Sequence, residues 1–289
     1  MRVRFGPQAA PTFGDNGDTM SARIRLGAMG WQEKDWIGPF YPLDTATKSM
    51  LAQYARSLPT VEVDSSFYGR PRATTVDEWG ASVPNDFRFA LKVPREVTHR
   101  RRFEDAGEVF KLFVDRVRTL GVKLGPILLQ CPPDFRANPN NRSRLFDFLE
   151  TQLPDDVRVA LELRDAGWFD DALFALAHEH RFAIVAAESE RFDVGSAADV
   201  VKRQLGNVDF LYLRWMGPEP FEHYDRVQAD RSDALAQWTK IISDARAHVT
   251  EVYGYVSDDY AGHAPGTVRD LLNRLGESAP PDITTPSLF

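Results

Sequence analysis

Charged and hydrogen-bonding side chains follow several short apolar segments of this chain, at the positions where each segment ends. Glu62, Lys92 and Glu162 stand at such positions, where a carboxylate or an amine can act as a general acid or base. Strand interiors rarely contain these residue types, because burying an unpaired charge is costly. We therefore take these three residues as candidate catalytic groups. The candidates for binding a substrate are His99, Gln130, Arg164, Tyr212, Arg214 and Asp258.

The spacing of these candidates indicates that they share one side of their strands. Side chains two positions apart on a strand point to the same face, and Tyr212 and Arg214 have this spacing. Several strands of this kind in one chain predict a common polar cavity. The same residues also fit a structural alternative, in which Glu162–Arg214 or Glu62–Lys92 is a buried ion pair without a catalytic function.

A cationic segment and a group of aromatic residues accompany these candidates. The run from His99 to Arg102 is either a phosphate- or carboxylate-binding loop or a solvated loop. The aromatic residues follow the first two apolar segments, and they form either a wall for a sugar or base or a small loop core. These aromatic residues are Trp31, Trp36, Phe40, Tyr41, Phe67 and Tyr68.

Carboxylate and imidazole groups in the same region suit divalent metal ions. No H-E-x-x-H pattern is present, yet barrel metal sites draw their ligands from separate strands, so metal dependence stays open as an alternative. The candidate ligands are Glu62, Asp64, His99, Glu162, Asp258, Asp259 and His263. Neither a G-x-S-x-G motif nor a Walker P-loop occurs, and the cofactor, if any, is unknown.

Eight apolar segments alternate with segments that mostly show helical periodicity. The apolar segments are 24–28, 61–64, 87–93, 127–130, 157–163, 182–186, 210–214 and 251–256. Helical spacing is clearest at 107–120, 233–247 and 266–275. This alternation predicts a (β/α)8 TIM-type barrel in a single domain, whose carboxyl-terminal strand ends would bring the candidates together.

The barrel is expected over residues 23–276, between a flexible N-terminal arm (1–22) and a C-terminal tail (277–289). A net charge of −7 excludes a globally basic nucleic-acid binder. There is no long apolar run and no basic-then-apolar signal pattern, so we expect a cytoplasmic protein without membrane contact. The tail ends in Leu288-Phe289, which resembles the end of bacterial sliding-clamp-binding peptides and raises clamp contact as a hypothesis.

Six segments, in order along the chain, resemble the DUF72 (YecE-like) family. They are 30–42, 61–71, 84–103, 123–135, 159–169 and 259–265. The resemblance implies a TIM-type barrel in a bacterial-type protein and supplies no reaction, because the family is one of unknown function. This chain departs from the family pattern at strand ends, where Asp64 replaces a usual Asn and Met216 replaces a usual His. These departures imply a different ligand or an activity that has drifted.

Three hypotheses on function follow. The first is an enzyme acting on a small polar anion, such as a phosphorylated sugar or a nucleotide fragment. Lys92, Arg164 and Arg214 would hold the anion, and Glu62 or Glu162 would act as the general base. The second is a non-catalytic protein that binds nucleic acid or a replication partner through the basic run and the tail. The third is a divalent-metal-dependent phosphoesterase or isomerase.

Overall fold

The computed structural model of the chain describes residues 21–278. The hypothesis of clamp contact through Leu288-Phe289 lies outside the described residues, as do most of the predicted N-terminal arm and C-terminal tail. Within the described range, parallel strands alternate with helices along the chain, which confirms the predicted class of fold.

Nine short strands of residues 21–278 occupy the eight predicted strand positions, because one position is split. The split strand consists of β6 (Ala183–Ile184) and β7 (Ala186–Glu188), which Val185 separates. The other strands are β1 (Arg23–Ala28), β2 (Thr60–Val63), β3 (Arg88–Lys92), β4 (Leu124–Gln130), β5 (Val159–Glu162), β8 (Phe210–Trp215) and β9 (Glu251–Val256). All strand pairs are parallel, in two sheets of order β1-β9-β8-β7 and β2-β3-β4-β5-β6.

The helices lie between the strands and include those predicted at 107–120, 233–247 and 266–275. They are α1 (Met50–Ser57), α2 (Ala73–Ser82), α3 (Gly107–Val117), α4 (Pro139–Gln152), α5 (Asp171–His180), α6 (Val194–Gln204), α7 (Ser232–Ala245), α8 (Asp258–Ala261) and α9 (Ala264–Arg274). Asn138, Asp170 and Asp193 begin α4, α5 and α6 by accepting a backbone hydrogen bond three residues on. In the described part of the chain, no helix combines the length and the apolar character needed to cross a membrane.

The two sheets meet at two seams, where polar side chains from helices complete the backbone hydrogen bonding. At the first seam, the Tyr54 hydroxyl of α1 accepts a hydrogen bond from the Ala28 N–H (2.7 Å) and donates one to the Thr60 carbonyl (2.9 Å). Beyond it, Met29 and Glu62 form a parallel bridge. A side chain thus links β1 to β2, because buried backbone groups need hydrogen-bond partners.

The second seam runs along the split strand. The side-chain amide of Gln204, the last residue of α6, accepts a hydrogen bond from the Ile184 N–H (3.0 Å) and donates one to the Ile184 carbonyl (2.8 Å). β6 pairs with β5, whereas β7 pairs with β8. The split strand therefore contacts both sheets and places the strands in chain order around a common interior.

The side chains of the interior form a cluster of their own, separate from the larger core between strands and helices. This inner cluster contains mainly alanine and aromatic residues together with Leu128 and Val185; its members include Ala90, Ala160, Tyr212 and Tyr255. Charged residues lie beyond it toward the two strand ends, since β9 begins with Glu251 and β8 carries Arg214 near its end. Cys131, the single cysteine, is buried, and burial raises the pKa of its thiol.

Candidate functional site

A buried ion cluster occupies the carboxyl-terminal end of the barrel interior. Nη2 of Arg214 donates a hydrogen bond to Oε1 of Glu62 (2.7 Å), and Nη1 donates to Oε2 of Glu162. Oε1 of Gln130 lies 3.4 Å from the same Nη1 atom, and Arg164 binds Oε1 of Glu162 (2.7 Å). β2, β4, β5 and β8 thus bring five predicted site residues together.

Each carboxylate oxygen of the two glutamates in this cluster accepts a hydrogen bond. The remaining oxygen of Glu62 accepts a hydrogen bond from the Tyr212 hydroxyl (2.6 Å). Glu62 is fully buried, and Glu162 is 1% exposed. The Glu162–Arg214 pair of the structural alternative is formed, whereas Glu62 pairs with Arg214 rather than with Lys92.

The two glutamates differ in the direction of their pKa shifts, although they share Arg214. Burial raises the pKa of Glu62 by more than the charge of Arg214 lowers it, and the charge of Asp64 raises it further. Burial also acts on Glu162, but Arg214 and Arg164 outweigh it and lower its pKa to about 2. Glu162 therefore stays ionised, and Glu62 is the member that gains a proton more readily.

Above the ion cluster, the mouth of the barrel combines positive charge with an aromatic ring. Lys92, at the end of β3, lies 3.4 Å from the Asp64 carboxylate, and its Nζ lies 4.5 Å from the centroid of the Phe67 ring. The His99 ring packs edge-on against Phe67, with centroids 4.8 Å apart, and its Nδ1 lies 2.8 Å from the Thr98 hydroxyl. Lys92 and His99 thus both contact the ring of Phe67.

One turn of π-helix, Glu96–Arg100, positions His99 at the mouth. Such turns often occur at functional sites. Burial, together with the charges of Lys92 and Arg164, lowers the pKa of His99 to about 4. The imidazole is therefore neutral at neutral pH, beside two cations.

The six aromatic candidates divide into a buried group and a group at the mouth. The buried group, which forms a loop core, consists of Trp31, Trp36, Phe40 and Tyr41. Phe67 and Tyr68 instead lie at the mouth. Tyr68 is 74% exposed, and Cζ of Arg95 lies 5.9 Å from its ring centroid.

The three arginines at 100–102 all form ion pairs with neighbouring carboxylates. Arg100 and Arg101 both form ion pairs with Glu96, at 3.2 and 3.1 Å, and Arg102 pairs with Asp134. The spacing of Glu96 and Arg100 was a signal available in the sequence, because residues four apart meet on a helix. Asp134 gave no such signal, since it lies on a different loop.

Two methionines contact the arginines of the site and were not among the predicted site residues. Sδ of Met29 lies 3.2 Å from Nη2 of Arg214, and Sδ of Met216 lies 3.8 Å from Nη2 of Arg164. A thioether is a weak hydrogen-bond acceptor. The one signal in the sequence was that Met216 replaces the histidine usual in the resembling family.

Asp258 lies away from the ion cluster, at the start of α8. Its Oδ1 accepts hydrogen bonds from the Trp36 indole N–H (3.1 Å) and from the Ala264 N–H (2.8 Å). Burial raises its pKa to about 7, and the charges of Glu33 and Asp259 add to the effect. These contacts connect the first βα loop to the start of α9.

The predicted metal ligands do not converge. Within residues 21–278, no group of three or more His, Cys, Asp or Glu side chains is placed to hold a metal ion. Asp259 accepts a hydrogen bond from the Tyr224 hydroxyl (2.5 Å), and Nδ1 of His263 accepts one from the Gly266 N–H at the start of α9 (3.2 Å). Both residues thus contribute to local loop and helix-start structure.

Comparison with known sequences relates this chain to the DUF72 and UPF0759 proteins. Residues 25–287 match the model of a family described as "Protein of unknown function DUF72". The chain is 25% identical over 275 residues to the UPF0759 protein YunF of Bacillus subtilis, which covers 87% of this chain and 94% of that protein. It is 26% identical over 146 residues to the UPF0759 protein YecE of Escherichia coli K12, which covers 50% of each.

Solved structures show the same fold. A DUF72 family protein from Thermotoga maritima has a TM-score of 0.73 at 21% identity, covering 88% of this chain and 100% of that one. One from Enterococcus faecalis has a TM-score of 0.67 at 19% identity, covering 90% and 100%. A psychrophilic glycoside hydrolase family 10 endo-β-1,4-xylanase has a TM-score of 0.52 at 7% identity, covering 89% and 97%. At these identities the likeness concerns the fold alone.

Proposed function

This chain belongs to the DUF72 family of proteins of unknown function, and on that premise we propose that it is an enzyme whose barrel mouth binds a small anionic substrate. The substrate class is a phosphorylated sugar or a nucleotide fragment. The observation that carries this proposal is the placement of Lys92 and His99 on the same ring, Phe67, at the barrel mouth. Burial, together with the charges of Lys92 and Arg164, lowers the pKa of His99. Two cations next to an uncharged imidazole favour an anion at that place.

The two cations at the mouth are each partly exposed. The side chain of Arg164 is 27% exposed, and that of Lys92 is 12% exposed and pairs with Asp64, which is 40% exposed. An incoming phosphate would be attracted by both cations and could share a proton with His99. The bound anion would also stabilise the protonated imidazole, so its pKa would rise.

The aromatic residues at the mouth suit the remainder of such a ligand. Phe67 lies next to Lys92 and His99, and Tyr68 is exposed beside Arg95. Sugar rings and nucleobases pack on exposed aromatic rings. Tyr68 is therefore assigned to contact the ring of the ligand.

The buried glutamates are assigned a positioning role, in place of the general-base role expected from the sequence. Glu62 and Glu162 reach the mouth only through Arg214 and Arg164, because each of their oxygens is already hydrogen-bonded. His99 is the group at the mouth that is placed to take up a proton. Gln130 and Tyr212 help to hold the cluster.

The test is a titration of His99 followed by NMR, with and without inorganic phosphate, ribose 5-phosphate or adenosine monophosphate. Phosphate is expected to raise the pKa of His99 from about 4. Lys92→Met is expected to weaken binding about tenfold or more, a loss of about 1.4 kcal/mol. Arg100→Met is the control, because that arginine is 60% exposed and, unlike Lys92, does not contact the Phe67 ring. A His99 titration unaffected by every one of these anions would contradict the proposal.

A further inference from the structure

A cleft of about 770 Å³ adjoins the carboxyl-terminal ends of β5 and β7, between α5, α6 and the loops that follow these two strands. None of the site residues described above lines it. Its volume lies within the range of about 300–1,000 Å³ that is usual for small-molecule sites. The cleft is therefore a second place where a small ligand could bind.

Apolar side chains form the body of this cleft. Phe169, Phe174 and Phe192 line it, and the rings of Phe169 and Phe192 meet edge to face, with centroids 5.5 Å apart. Val185 and Ala187, which belong to the inner cluster of the barrel, form part of the same lining. Water in such a cleft contacts mainly carbon, so an apolar group that replaces it gains free energy.

The charged residues of the cleft are mainly positive. Arg203 is already engaged, because it donates to Asp171 (2.6 Å) and lies 3.9 Å from the ring centroid of Phe174. Arg191 and Lys202 also line the cleft, and neither forms an ion pair with a carboxylate of residues 21–278. Asp199 is the single acidic residue in the lining.

We propose that this cleft binds a small carboxylate with an apolar body. The phenylalanine rings would contact the body, and Arg191 and Lys202 would pair with the carboxylate. A neutral ligand would leave both cations unpaired, and a cationic ligand would be repelled by them. The cleft is lined by none of the residues assigned to the mouth, so this proposal can be tested independently of the proposed enzyme function.

The test compares decanoate with decanol by isothermal titration calorimetry on the full-length chain. Decanoate is expected to bind at one site per chain. The double substitution Arg191→Ala/Lys202→Ala is expected to weaken decanoate about tenfold, or about 1.4 kcal/mol, and to leave decanol unchanged. Lys111→Ala on α3 is the matched control, since that lysine is exposed and lies on another helix.

A blocking variant separates this cleft from other apolar surfaces. Ser196 is exposed and lines the cleft, so Ser196→Trp is expected to fold and to prevent binding of both ligands. Unchanged decanoate binding in this variant would overturn the proposal. So would the absence of saturable binding to the unmodified protein, or equal affinity of decanoate for that protein and the double variant.

Discussion

The two ends of the barrel interior both contain arginine–glutamate pairs, but they differ in what surrounds those pairs. At the amino-terminal end, Arg25 is 1% exposed and donates to Glu251 (2.8 Å) and to the side chain of Asp86 (3.1 Å). Arg158 binds the other oxygen of Glu251 and also Asp209 (3.1 Å). This cluster links the starts of separate strands and places no exposed aromatic ring beside them.

At the carboxyl-terminal end, the paired charges lie beneath groups that a ligand can reach. The Glu62–Arg214–Glu162 cluster is buried, whereas Lys92 and His99 lie above it. The two ends thus have similar buried ion pairs and differ in the groups that lie next to them. What distinguishes the upper end is the combination of two partly exposed cations, the imidazole of His99 and the exposed ring of Tyr68.

The largest expected effect comes from removing the central cation of the upper cluster. Arg214→Met leaves two buried carboxylates short of a partner, and we expect a loss of about 3–5 kcal/mol in the free energy of unfolding. Urea unfolding followed by circular dichroism measures it. The triple variant Arg214→Met/Glu62→Gln/Glu162→Gln should regain most of the loss, because no unpaired charge remains. A loss of unfolding free energy below about 1 kcal/mol, as is typical of surface ion pairs, would contradict this prediction.

Glu251 of the lower cluster should contribute to the acid dependence of stability, as should Glu162 of the upper cluster, whose pKa is also lowered to about 2. Burial opposes ionisation of Glu251, but hydrogen bonds from Arg25 and Arg158 lower its pKa from 4.5 to about 2. A shift of this size corresponds to about 3 kcal/mol. This stabilisation is complete above the unfolded-state pKa near 4.5 and disappears as the pH falls through 2.

Glu251→Gln is therefore expected to flatten the fall in unfolding free energy between pH 4.5 and pH 2. Glu62→Gln is the matched variant at the upper end. This variant should leave the fall in unfolding free energy at acid pH as steep as before, because the pKa of Glu62 is raised rather than lowered. Parallel pH curves for the Glu251 variant and the unmodified protein would contradict the assignment.

A smaller loss is expected for Arg25→Met, at about 1–3 kcal/mol. Glu251 keeps Arg158 as a partner, and the side chain of Asp86 is 70% exposed and can be hydrated. The unfolding free energies of the Arg25→Met and Arg214→Met variants are compared by thermal and urea unfolding. If the Arg25 variant lost as much stability as the Arg214 variant, the two ends would not differ as described.

The smallest effect on stability is expected at the rim. Tyr68→Ala should change the unfolding free energy by less than about 0.5 kcal/mol, because the side chain is mostly exposed. It should nevertheless weaken the binding of adenosine monophosphate more than that of inorganic phosphate. Tyr68→Phe, which keeps the ring, is the control. Equal losses for the two ligands would exclude a ring contact.

Much of the fold follows from local patterns in the sequence. The eight apolar segments correspond to the eight strand positions, and the segments at 107–120, 233–247 and 266–275 contain α3, α7 and α9. The convergence of Glu62, Glu162 and Arg214 also followed, because a parallel barrel gathers its strand ends. The break at Val185 was not predicted, since it depends on Gln204 binding Ile184 from another element.

The sequence by itself determined which residue types stand at the strand ends, because strand and helix periodicity are local properties of the chain. Only the tertiary structure decided which partners these residues have. Glu62 pairs with Arg214, which is 152 positions away, rather than with Lys92 on the adjacent strand. It also decided that Trp36 is buried while Tyr68 is exposed. Pairing and burial depend on distances between distant segments, which only the closed arrangement of strands and loops fixes.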